Sequence, residues 1–193
     1  MRIAMIGQKG FDVGEKGGGI ERHVTELATR LGALGEEVVV YSRRSYDELL
    51  PQGVTVREVG AIHTKNLETI THTFLATLDA MRQDFDIIHY HGVGPATLAW
   101  IPRVFKKECR VVVTFHSRDR FHQKWGMLAR WYLAFGEWAA VWFPHATIAV
   151  SHALAVFARK HLKRQVIYIP NGAPLKHVSD SEGLTEFGLK PQS

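Results

Sequence analysis

Two short hydrophobic runs end in histidine, and those histidines are the residues best placed to do chemistry. In Asp86-Ile-Ile-His-Tyr-His, side chains of an extended strand alternate, so His89 and His91 share one face and His91 falls at the carboxyl end. The run Val111 to Phe115 likewise delivers Thr114 and His116 to its carboxyl end, with Ser117, Arg118 and Asp119 following. Three histidines invite a zinc site, which uses three protein ligands plus water. The spacing argues against it: no H-E-x-x-H occurs, and one member of a His-x-His pair is often a hydrogen-bonded core residue. The expectation is therefore no bound metal. Serine-nucleophile chemistry lacks its G-x-S-x-G elbow.

A second candidate is the glycine-rich loop. Gly7 and Gly10 follow the first apolar run, and Gly17, Gly18 and Gly19 stand immediately before a helical pattern that opens at Ile20. Glycines let backbone N–H groups approach an anion, and a helix N-terminus attracts one, so a phosphate can be held there without a charged side chain. The alternative is a turn that needs glycine only for its backbone angles. The dinucleotide fingerprint G-x-G-x-x-G is not met, which counts against a nicotinamide-dependent oxidoreductase. A basic run, Arg118, Arg120, Lys124 and Arg130, lies among Phe121, Trp125 and Trp131, with Lys106, Lys107 and Arg110 expected on a nearby loop. Such runs are usually solvated surface, but interleaved aromatics also suit an anionic headgroup or a lipid pyrophosphate. No recognised nucleic-acid module appears, so nucleic acid is not an expected partner.

These residues must be positioned by a sheet. Apolar runs of strand length recur at Arg2 to Ile6, Glu37 to Tyr41, Val54 to Val59, Asp86 to Tyr90, Arg110 to Phe115, Thr147 to Val150 and Val166 to Ile169. Several are continuously apolar and β-branched, as expected where helices cover both faces of a parallel sheet. The expected fold is α/β: a Rossmann-like, doubly wound, mostly parallel sheet of seven strands. Ile20, Val24, Leu27, Leu31 and Leu34 form one helical stripe closed by Gly35, and Leu67, Ile70, Phe74, Leu78 and Met81 form a second. Pro95 opens a third helix that Pro102 is expected to bend or end. From Phe121 to Trp142 the pattern is apolar nearly all round. That helix is either buried on two sides, the simpler reading, or meets a partner domain or membrane surface. Ligands of open α/β sheets bind beyond the carboxyl ends of strands, so the glycine loop, His91 and His116 are expected to share one cleft.

Composition fits this picture. The 193 residues are 46% hydrophobic and 22% charged, near globular averages, and the net charge of +5 mildly favours anionic partners. Cys109 is the only cysteine, which excludes an internal disulfide and suits a reducing cytoplasm. No signal peptide is visible at the start, and Tyr132 to Val150 is interrupted by Glu137, Pro144 and His145, so no membrane span is expected. After Pro-Asn-Gly-Ala-Pro the chain turns polar. Residues 1–174 are read as one domain, and 175–193 as a linker toward a further domain.

Together these residues resemble glycosyltransferase family four. The resemblance rests on Gly17-Gly-Gly-Ile-Glu-Arg-His-Val, Asp86-Ile-Ile-His-Tyr-His-Gly, Thr114-Phe-His, Lys124-Trp-Gly, Ile148-Ala-Val-Ser151 and Ile169-Pro-Asn-Gly172. It implies a retaining enzyme with two Rossmann-like domains facing a cleft, of which this chain is the N-terminal, acceptor-side one. By that analogy Gly18 and Gly19 approach the donor phosphates, and His116 contacts the transferred sugar and steadies its developing charge. Glu21, Arg22, His91 and the loop from Arg118 to Lys124 then lie toward the acceptor. The implied partners are a nucleotide-sugar donor, a saccharide or lipid-linked acceptor, the enzyme's own C-terminal domain and, through the aromatic helix, the inner face of the cell membrane. The resemblance also implies no cofactor and no catalytic metal. The implied basic pair on the donor diphosphate is not found in this sequence, so little turnover is expected from the chain alone. A non-catalytic acceptor-binding or regulatory module is the alternative.

Overall fold

The computed structural model describes residues 1–11, 17–46, 49–62, 64, 67–121 and 126–172. Strands β1 (Arg2–Ile6), β2 (Glu37–Ser42), β3 (Val54–Glu58), β4 (Ile87–His91), β5 (Arg110–Phe115), β6 (Ala146–Ala149) and β7 (Ile167–Tyr168) are joined through helices, except that β3 follows β2 directly. The helices are α1 (Gly19–Ala33), α2 (Glu68–Met81), α3 (Val93–Ala96), α4 (Trp100–Phe105), α5 (Met127–Trp142) and α6 (His152–His161). The seven strands lie in the order β3-β2-β1-β4-β5-β6-β7, and every pairing is parallel, where a mostly parallel sheet was expected.

Right-handed crossovers dictate where the helices go. The chain moves one way from β1 to β2, placing α1 on one face, where Val24 and Ala28 pack on Ile3, Met5, Val38 and Val40. It moves the other way from β4 onward, and α2, α5 and α6 contribute Ala76, Ala80, Leu133, Ala140, Leu154 and Ala158 to the opposite, larger core. Alternation along β1 divides its residues: Ile3 and Met5 face α1, while Ala4 and Ile6 face the other layer.

Three expectations are corrected. The chain breaks between α3 and α4 at residues 97–99, before Pro102, which sits inside α4. Proline has no N–H to offer the carbonyl four residues back, and the chain there closes short turns such as Ala99 N–H to Ala96 O. Lys106 is buried, not on a basic surface: its Nζ donates to the carbonyls of Gln83 and Met81, closing the end of α2.

The third correction concerns α5, which is not buried on two sides. Its inner face is small, with Gly136, Ala139 and Ala140 beside Leu133, Val141 and Glu137. Leu128, Trp131, Phe135, Trp138 and Trp142, spaced three, four, three and four apart, are all exposed. Phe135 stacks on Trp138, and Trp138 on Trp142, at centroid distances of 5.8 and 5.9 Å. The reason is steric: a Cβ on Gly136 would stand 2.4 Å from the Val93 carbonyl oxygen, so only a helix face without bulk can approach α3. Lys124 and the segment 175–193 lie outside the described residues.

Candidate functional site

Strand order reverses between β1 and β4, and the carboxyl ends of these strands meet closely. Gly7, just past β1, has φ +118°, and a Cβ there would fall 2.6 Å from the His91 carbonyl oxygen. Only glycine meets both demands. Past this junction stand the first turn of α1, the end of β4 and the loop after β5.

The α1 terminus is built around Glu21. Its buried carboxylate accepts from the Gly18 N–H at 2.8 Å and the Lys9 N–H at 3.0 Å, capping the first turn of α1 from its third residue and tying down the loop after β1. Burial pushes this carboxyl up, but the N–H groups of Lys9, Glu21 and Gly18 outweigh it and hold it below its ordinary value. Gly18 has φ −95°, open to any residue, and Gly19 is already helical. Backbone angle therefore does not require glycine at either position. A Cβ on Gly19 would meet no atom of the described residues within 4 Å. Arg22, the next residue along, is exposed.

One turn beyond Gly19, His23 reaches the strand ends. Its ring lies 4.8 Å from that of His116 and 5.6 Å from that of His91, and His91 Nδ1 is 3.4 Å from His116 Nε2. His23 Nδ1 donates to the Asn171 side-chain oxygen at 3.0 Å. Behind them His89 packs against His91, ring centres 4.2 Å apart, and is fixed by a 2.7 Å hydrogen bond to Thr114 Oγ1, the core role expected of one member of the pair. Burial is the main cause that lowers the basicity of every ring here. His116 is held down at about 4 and His89 at about 3, with His91 well below its ordinary value and His23 shifted the same way. All are neutral at pH 7. The ligand atoms of His23, His91 and His116 lie within 4.8 Å of one another, the arrangement among the described residues that suits a metal ion.

Arg118 is drawn toward α5. Its Nε lies 3.4 Å from Glu137 Oε1, and its guanidinium sits 3.7 Å from the Phe157 ring centre and 4.6 Å from that of Phe121. Arg120 reaches the same carboxylate at 3.2 Å. Burial raises the Glu137 carboxyl despite both cations. The pair anchors the loop that carries His116.

The structure thus brings Gly19, His91 and His116 to one end of the sheet. It adds three residues that sequence reasoning passed over. His23 was visible only as part of a glycine-led motif and Asn171 only as a turn residue. Glu137 was visible only as an interruption of an apolar run.

The fold and site define a Rossmann-like domain with a histidine cluster at its topological switch point. The chain belongs to Glycosyltransferase Family 4, which matches residues 17–177. It is 26% identical over 199 residues to a phosphatidyl-myo-inositol mannosyltransferase of Mycobacterium leprae, covering 97% of this chain and 49% of that protein. Among solved structures, a sucrose-phosphate synthase from Thermosynechococcus elongatus superposes with a TM-score of 0.76 at 19% identity, over 98% of this chain and 53% of that one. WaaG, described as a glycosyltransferase involved in lipopolysaccharide biosynthesis, superposes with a TM-score of 0.67 at 15% identity, over 100% and 53%. The chain spans about half the length of each of these proteins.

Proposed function

We propose that this chain forms the acceptor side of a retaining glycosyltransferase that moves a sugar from a nucleotide-sugar donor to a lipid-linked or saccharide acceptor in glycolipid or cell-surface polysaccharide synthesis. The observation that carries this reading is that the α1 terminus, where a side chain on Gly19 would meet no atom of the described residues, and the neutral imidazole of His116 stand at the same end of the sheet. In a family defined by sugar transfer, a helix N-terminus suits the donor diphosphate. An uncharged imidazole can hydrogen-bond a sugar without repelling the positive charge that develops on it.

In this reading His116 contacts the transferred sugar, His91 backs it, and Glu21 holds the shape of the loop that Arg22 and Arg118 flank on the acceptor side. Lys124 is assigned to the same side. No metal or cofactor takes part in the transfer, and no protein base is needed, since the leaving phosphate can itself take the acceptor proton. A C-terminal domain of the same enzyme supplies the cations for the diphosphate, and the chain alone turns over little. The exposed aromatic stripe of α5 rests on the inner face of the cell membrane, where a lipid-linked acceptor resides. No helix among the described residues is long and apolar enough to cross a membrane.

The test is sugar transfer by the complete enzyme across a panel of nucleotide sugars. His116→Ala is expected to lower kcat by about a hundredfold with a smaller change in KM. An unchanged kcat would remove His116 from the reaction, and no transfer from any nucleotide sugar would overturn the reading.

A further inference from the structure

We infer that His23, His91 and His116 form a binding site for a borderline divalent transition-metal ion such as Zn2+, as an occupant of the cleft and not as a cofactor. Two imidazole nitrogens on a tetrahedral zinc ion lie about 3.4 Å apart. His91 Nδ1 and His116 Nε2 stand at 3.4 Å, long for a hydrogen bond and right for two ligands of one ion. The three ligand atoms fall within 4.8 Å of one another, and His23 and His116, both only half-buried, can close the remaining gap by side-chain rotation.

The nitrogens themselves support the site. His23 gives its Nδ1 proton to the Asn171 oxygen, which leaves a lone pair on Nε2, and that atom is buried without a partner among the described residues. A ligating histidine is commonly oriented by such an outer hydrogen bond. Buried polar atoms left this way call for an explanation, and a cluster poised for an ion supplies one. Because the rings are neutral, their lone pairs are available at pH 7. Three imidazoles without a thiolate select zinc, nickel or copper over magnesium or calcium. The Glu21 carboxylate, whose field reaches His116, offsets part of the ion's charge.

The inference stands on this geometry and goes beyond the proposed reaction. In that reaction the ion would occupy the place of the transferred sugar, making Zn2+ an inhibitor of the complete enzyme. Binding itself is measured without turnover, so its failure and the failure of the glycosyltransferase reading are separable. Calorimetric titration of the 193-residue chain with zinc chloride should give one site, tighter than about 100 µM. X-ray absorption of the loaded wild-type protein should show nitrogen scatterers with the outer-shell pattern of imidazole, a readout that needs no variant. His23→Gln, His116→Gln and Asn171→Ala should each weaken binding about tenfold or more, with far-UV circular dichroism unchanged. His152→Gln and His161→Gln, on the exposed side of α6, should leave it intact. Absence of saturable binding, an absorption spectrum without imidazole, or equal affinity in the folded cleft variants would overturn the inference.

Discussion

His116 carries no charge at neutral pH because burial takes more from its protonated form than the field of Glu21 returns. The same accounting by residue explains the glycines at the start of α1. Gly7 is fixed by both angle and space, whereas Gly19 is helical and a Cβ there would meet no atom of the described residues. Gly19→Ala should therefore leave thermal stability unchanged or raise it by up to about 1 kcal/mol, since alanine favours the helix. It should at the same time weaken binding of a nucleoside diphosphate to the complete enzyme, measured by titration. Equal affinity would show that no ligand approaches that backbone. At this scale the sequence was partly legible. His91 and His116 stood out because strand alternation and the carboxyl-end rule act locally. His23 and Asn171 did not, because a hydrogen bond between residues 148 apart leaves no local pattern.

Among the elements, α5 shows how a close approach decides orientation. Gly136 lets the helix backbone touch Val93 at the start of α3, immediately after the His91 strand. Gly136→Ala should cost about 1–3 kcal/mol of stability, read as a lowered denaturant midpoint, because the added methyl meets backbone that cannot swing away. The outer face behaves oppositely. Trp131 is 74% exposed, so Trp131→Ala should change stability by less than about 0.5 kcal/mol while reducing sedimentation with anionic vesicles. Loss of folding instead would mean that the stripe packs within the protein. The strands were legible as β-branched apolar runs bounded by turns. The facing of α5 was not, because a helix apolar on every side has no period to reveal which side is inward. The split between α3 and α4 was placed too late because proline acts on the carbonyl four residues before it.

For the molecule as a whole, buried histidines set the response to acid. His72 and His116 are held down at about 4, His89 at about 3 and His91 lower than its ordinary value, with burial the largest cause in each. Unfolded imidazoles titrate near about 6.5, so below that pH the unfolded chain binds more protons than the folded one. This part of the stability is present above about pH 6.5 and is lost as pH falls toward 4. Glu137, whose carboxyl is raised, works in the opposite sense by favouring the fold when protonated, but it is one group against four. The urea midpoint should fall clearly between pH 7.5 and pH 5, and an unchanged midpoint would show that the rings are solvated in the native state. Topology adds a consequence for the timing of assembly. The central strands β1 and β4 pair Ile3 with Ile87, and His23 at the start of α1 is held by Asn171. Contacts so distant along the chain form late and slowly. A nascent chain that has not yet released Asn171 from the ribosome thus has its glycine turn and strands but not the tether that orients His23, which leaves the histidine cluster unfinished until residue 171 has emerged.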